Sequence, residues 1–132
     1  MFWKFIGASG LPKMDVRGLA DPYFIAKLDN RISFVFVLQI HPLLAVDLNI
    51  FCYSSAVKAG TLAPVWNEIW KVKNVPVSAD LNVEVLDKDD ARLDDYIGKF
   101  KIAVSPGAKE AEIEGPFKRP RGTFWLKVRN CE

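Results

Sequence analysis

VLDKDDARLDDYIG, residues 85–98, carries five aspartates within nine positions: Asp87, Asp89, Asp90, Asp94 and Asp95. Carboxylates a few ångströms apart repel by about 1 kcal/mol per pair in water, and by more in a drier site. A small domain tolerates such a loop in one of two ways. Either the charges stand apart in solvent, or a cation makes the cluster favourable. The remainder of the chain decides between them.

Just before the aspartates, the residue pattern has a period of two. In LNVEVL, Leu81, Val83 and Val85 share one face, while Asn82 and Glu84 share the other. GTFWLKV repeats this, with Phe124, Leu126 and Val128 opposite Trp125 and Lys127. PYFIAKL (22–28), WNEIWKV (66–72) and GKFKIAV (98–104) are also short, β-rich and bounded by turn residues. GASGLPKMD, AGTLAP, NVPVSAD and GPFKRPRG mark loops. AKEAEIEG (108–115) is expected to form one helical turn at most. Short strands, Gly/Pro turns and the lack of a long helical stripe predict an all-β fold, an eight-stranded antiparallel β-sandwich.

The length of 132 residues suits one domain with a core of its own, and composition is that of an ordinary globular chain. Cys52 and Cys131 lie far apart and make no zinc pattern or disulfide framework, so a reducing, cytoplasmic setting is the default. The net charge of +2 is unevenly spread. Seven of sixteen acidic residues fall in 15–21 and 87–95, and five of eighteen basic residues lie between Lys118 and Arg129. That basic tail could meet anionic lipid or nucleic acid, but a solvated face is the simpler reading, and without interleaved aromatic and basic residues no nucleic-acid partner is expected. The N-terminal MFWKFIGASG lacks the features of a signal peptide. Residues 32–51 have the length of a spanning helix, but Gln39, His41, Pro42, Asp47 and Asn49 interrupt them, which argues against a transmembrane segment.

Calcium is a hard cation that takes six to eight oxygen ligands. An EF-hand loop counted from Asp87 fails, because its sixth residue is Arg92 and its twelfth is Gly98, where Gly and Glu are needed. A two-loop site is the other option. MDVRGLADPYF supplies Asp15 and Asp21, and LDKDDARLDDYIG supplies Asp87, Asp89 and Asp95. Strand alternation puts Asp87 and Asp89 on one side, and Asp95 returns from the far side of the loop. Carboxylates arriving from two directions suit a cation.

GASGLPKMDVRGLADPYFIAKL, GTLAPVWNEIWKV and LNVEVLDKDDARLDDYIGK together resemble a C2 domain, the calcium- and phospholipid-binding β-sandwich module. The resemblance covers residues 5–30 and 56–129, with three motifs in order. It implies that Asp15, Asp21, Asp87, Asp89 and Asp95 are calcium ligands, with main-chain carbonyls near Met14 and Lys88 completing the shell. Asp90 and Asp94 match no ligand position and are expected to be solvated. It further implies calcium-dependent binding to anionic, phosphatidylserine-like phospholipid, as a peripheral membrane module. Val16 and Arg17 in the first loop, and Ala91, Arg92 and Leu93 in the third, would lie nearest the membrane. The alternative is a protein-interaction scaffold with a protein partner and structural or no calcium.

Lys71 and Lys73 could help bind phosphoinositide, although a solvated face is the simpler reading. Trp66, Trp70 and Trp125 read as core or rim packing. The single histidine, His41, leaves no histidine triad, and no phosphate loop or hydrolase motif is present, so no enzyme activity is expected.

Residues 36–53 do not fit a sandwich hairpin. They read as an anomalous hydrophobic insertion interrupting one strand, either translated intron or a genuine insertion.

Overall fold

The computed structural model of the chain describes residues 1–14, 18–29, 52–73 and 75–130. These residues form eight strands: β1 (Phe2–Ser9), β2 (Pro22–Asp29), β3 (Cys52–Ser54), β4 (Val65–Lys71), β5 (Asp80–Asp87), β6 (Asp95–Ala103), β7 (Gly107–Glu114) and β8 (Pro120–Arg129). Every pairing is antiparallel, and hydrogen bonding connects them in the order β3-β2-β5-β6-β7-β8-β1-β4.

The order breaks naturally in the middle. β6 and β7 share one register pair, Lys99 with Glu114, whereas β5 and β6 are in register from Asp80 with Ala103 to Asp87 with Asp95. The sheet folds over at that seam into two layers, β3-β2-β5-β6 and β7-β8-β1-β4. Ring contacts demonstrate the closure. Phe24 on β2 and Phe124 on β8 belong to different layers, yet their centroids are 5.3 Å apart and the rings are nearly perpendicular. Phe5 on β1 lies 4.6 Å from Phe24. Gly98 permits the close approach at the seam, because a Cβ there would come within 2.6 Å of Ile113 Cγ2 and 2.8 Å of the Glu114 carbonyl.

Alternating side chains fill the space between layers. Leu81, Val83 and Val85 of β5 and Phe124, Leu126 and Val128 of β8 are buried, as their period of two predicts. Trp3, Phe5, Trp66 and Trp70 complete the core, while Trp125 is half-buried. The open side opposite the seam is stitched by side chains of the two edge strands. The Tyr53 hydroxyl on β3 donates to Glu68 Oε1 on β4, and the Ala56 amide donates to Glu68 Oε2 at 3.2 Å. Trp66 Nε1 donates to the Ala56 carbonyl at 2.9 Å.

One expectation changes. Residues 107–114 form strand β7, not a helical turn. Ala, Glu and Lys favour helix, but Ala111 and Ile113 point inward while Glu110, Glu112 and Glu114 are exposed, and the ladder with β8 overrides local preference. Cys52 and Tyr53, the last residues of the expected insertion, belong to β3 and pair with Lys27 and Ala26 of β2. Residues 36–51 lie outside the described residues.

Candidate functional site

Four connections meet at one end of the sandwich. They are 10–21 between β1 and β2, 55–64 between β3 and β4, 88–94 between β5 and β6, and 115–119 between β7 and β8. Main-chain bonds tie the 55–64 connection to the end of β1 and to the 10–21 connection. Ala8 N donates to Pro64 O at 3.0 Å, Leu11 N to Leu62 O at 3.2 Å, and Thr61 N to Ala20 O at 2.8 Å.

Asp87 is at the centre of this end. The period that buries Leu81, Val83 and Val85 carries one step further, so the last residue of β5 also points inward and is 2% exposed. It is the buried charged residue among those described. Its Cα partners are Pro22 on β2 and Asp95 on β6. Asp21, one residue before β2, donates its main-chain amide to Asp87 Oδ1 at 2.8 Å, and its carbonyl accepts from Lys88 N at 3.0 Å. Burying a carboxylate is costly unless it is hydrogen-bonded or paired, so the Asp21 amide offsets part of that cost and a cation would offset more.

Two of the other aspartates, Asp21 and Asp89, accept main-chain amides. Asp21 Oδ1 accepts from the Gly60 amide at 2.7 Å, and Gly60 has the positive φ of 67° that this turn requires. Asp89 Oδ1 accepts from Ala91 N at 2.9 Å, bending the start of the loop. Asp95 opens β6 half-buried. Asp90 is exposed, as expected.

Asp94 is not the solvated charge that the sequence suggested. Its side chain is 18% exposed. Oδ1 accepts from Asp89 N at 3.0 Å, Oδ2 accepts from the Tyr23 hydroxyl, and Lys88 Nζ lies 3.7 Å from Oδ2. The Asp89 amide first, and then the Tyr23 hydroxyl and the Lys88 charge, hold the Asp94 carboxyl below its usual range. Burial, followed by the bond to Asp94 and its charge, pushes the Tyr23 phenol up to about 12. Asp94 therefore braces the 88–94 loop against β2. Because Tyr23 is 71 residues away in sequence, short-range spacing gave no sign of this role.

Arg121 on β8 adds a second brace. Its guanidinium donates to the Ile97 carbonyl at 3.2 Å and approaches the Tyr96 carbonyl and Met14 Sδ at 3.5 Å each. One side chain thus touches residues beside Asp95 and just before residue 15.

The structure brings Asp21, Asp87, Asp89 and Asp95 to this end, while Asp15, Val16 and Arg17 lie outside the described residues. Ala91, Arg92 and Leu93 are exposed at the loop tip, Leu93 by 92%. Lys71 closes β4 opposite Phe2 in register, and Lys73 is two residues beyond. Both are exposed at the opposite end of the sandwich, away from the aspartates. Among the described residues, no three His, Cys, Asp or Glu side chains converge tightly enough to hold a metal by themselves. The donor chemistry nevertheless fits calcium: every candidate is a carboxylate, and one of them is buried where a cation would offset its charge. No helix among the described residues is long and apolar enough to cross a membrane.

Comparison with known proteins agrees with this architecture. The chain is 27% identical over 133 residues to multiple C2 domain and transmembrane region protein 8 of Arabidopsis thaliana, covering 98% of this chain. It is 28% identical over 99 residues to human Ras GTPase-activating protein 4, covering 75% of this chain. The chain spans only 11% and 10% of those relatives' lengths. Among solved structures, a C2 domain of plant extended synaptotagmin 1 superposes with a TM-score of 0.72 at 22% identity, covering 99% of this chain and 95% of that one. The calcium-bound tandem C2 domains of extended synaptotagmin 2 give 0.66 at 23% identity, covering 96% of this chain and 43% of that one. These structural likenesses extend to the fold, and the model of the C2 domain family matches residues 2–119. With that match over most of its length and the sandwich on which it lies, the chain belongs to the C2 domain family.

Proposed function

We propose that this domain is a peripheral membrane-targeting module that binds anionic, phosphatidylserine-like phospholipid when calcium occupies the loops carrying Asp15, Asp21, Asp87, Asp89 and Asp95. The observation that supports the reading best is Asp87, a 2% exposed carboxylate whose neighbours across two ladders lead to Asp21 and Asp95. Bound calcium would invert the local potential and offer open coordination positions to lipid phosphate or carboxylate.

The chain's own residues have separate tasks in this reading. Asp87 and Asp95 present carboxylates from adjacent strands, and Asp21 and Asp89 present theirs from the flanking loops. Asp94, held by Tyr23, keeps the 88–94 loop upright. Val16, Arg17, Ala91, Arg92 and Leu93 meet the headgroups, with the arginines on phosphate and Val16 and Leu93 entering shallowly. The domain would be cytoplasmic and move to a membrane as calcium rises.

Co-sedimentation with phosphatidylserine vesicles tests this. Binding that appears with calcium and is reversed by EDTA is expected. Binding that EDTA leaves unchanged would refute the calcium switch and favour a calcium-independent scaffold.

A further inference from the structure

The turn between β7 and β8 belongs to the same end as the aspartate loops, yet no calcium ligand has been assigned to it. Gly115 N donates to Arg119 O at 2.7 Å and Arg119 N to Pro116 O at 3.4 Å, closing the turn around Pro116–Lys118. At its tip Phe117 is 97% exposed, the most exposed large apolar side chain described. Phe117 and Lys118 both have left-handed backbone, with φ of 59° and 60°. That conformation is uncommon for residues with a Cβ, and two in succession hold the aromatic ring out from the body. Lys118 and Arg119 are exposed beside it. Arg121 anchors the base of the turn to the Ile97 carbonyl at 3.2 Å, two residues from Asp95.

We propose that this turn is a further lipid-contact element, with Phe117 entering the apolar edge of an anionic bilayer and Lys118 and Arg119 on its phosphates. The charge of the turn argues for lipid as the occupant. A lone aromatic followed by two cations matches the interface of an anionic bilayer, where amphipathic rings and basic side chains are both favoured. Its place at the same end of the sandwich as the 88–94 loop, where Leu93 is 92% exposed, would direct both apolar tips to one surface. The cations of the turn need no metal, so this contact supplies a calcium-independent attraction that partly offsets the repulsion from the empty aspartate loops.

This inference rests on the membrane-targeting reading, and one set of measurements separates the two. Binding to vesicles of phosphatidylserine and phosphatidylcholine in equal parts is measured with calcium for wild type, Phe117→Ala and Lys118→Gln/Arg119→Gln. Calcium affinity without lipid is measured alongside by calorimetry, and folding by circular dichroism. Because Phe117 and both cations are exposed, each variant is expected to fold and to bind calcium as wild type does. Phe117→Ala should bind vesicles about tenfold more weakly. The double variant should lose about tenfold or more at low salt, with the loss shrinking as salt rises. A thiol dye on Phe117→Cys, with Cys52 and Cys131 replaced by Ser, should shift to the blue on vesicles. Wild-type binding with unchanged affinity in both variants would overturn the lipid contact and leave the targeting reading standing; a turn reserved for a protein partner gives that result. Absence of wild-type binding would overturn both.

Discussion

The Asp21 amide and the Asp87 carboxylate are joined at 2.8 Å, and the Asp21 carbonyl takes the Lys88 amide at 3.0 Å. The loop before β2 and the loop after β5 are thereby locked together through residues expected to bind the same ion. The positions of Asp21 and Asp87 are thus set by the fold, and in the proposed reading a cation would offset their charge.

This double role predicts a split between two substitutions. Asp87→Asn keeps an acceptor for the Asp21 amide, so its stability in EDTA should stay close to wild type. Asp87→Ala removes the acceptor and should cost about 1–3 kcal/mol under the same conditions. Urea denaturation in EDTA checks the order; an alanine variant as stable as the asparagine one would contradict it.

The Tyr53–Glu68 bond closes the open side of the sandwich, so Tyr53→Phe should destabilise by about 1–2 kcal/mol while leaving the ring contacts with Phe5 and Phe24 in place. Its pH dependence has a definite sign. Burial, then the bond and charge of Glu68, push the Tyr53 phenol up from 10.0 to about 12. Below pH 10 both folded and unfolded chains hold this proton, and the wild-type advantage over Tyr53→Phe is complete. As pH rises toward 12 the unfolded chain ionises first, so the advantage is lost. Denaturation of both proteins at pH 9 and pH 11 should show the gap narrowing.

Gly98→Ala tests the seam. The added methyl would meet Ile113 Cγ2 at 2.6 Å and the Glu114 carbonyl at 2.8 Å, and a carbonyl in the β6–β7 pairing cannot move cheaply. A loss of about 1–3 kcal/mol in urea denaturation is expected.

Phe124→Ala tests layer closure. This ring is fully buried and meets Phe5, Phe24, Trp66 and Phe100. Truncation should cost about 3–5 kcal/mol. A domain of ordinary stability would lose much or all of its margin, visible as a collapse of the thermal transition.

What was legible in the sequence was what local pattern controls. Leu81, Val83 and Val85 announced a strand, and extending their period by two residues places Asp87 inside. The turn signals of AGTLAP were visible, but not that Gly60 would aim its amide at Asp21, which requires the fold. Strand β7 was hidden because its alternation is written in Ala and Glu, which favour helix until β8 supplies a ladder. Asp94 was passed over because Tyr23 reaches it from another strand, and Phe117 because a loop motif does not say which way its ring points.

The central claim is that the aspartates of the two loops bind calcium. Calorimetric calcium titration of wild type against Asp87→Asn/Asp89→Asn, with both shown to be folded, tests it most directly. Saturable calcium binding by wild type that the double variant loses is the predicted result. Equal affinity in the two proteins, or no binding by wild type, would contradict the account.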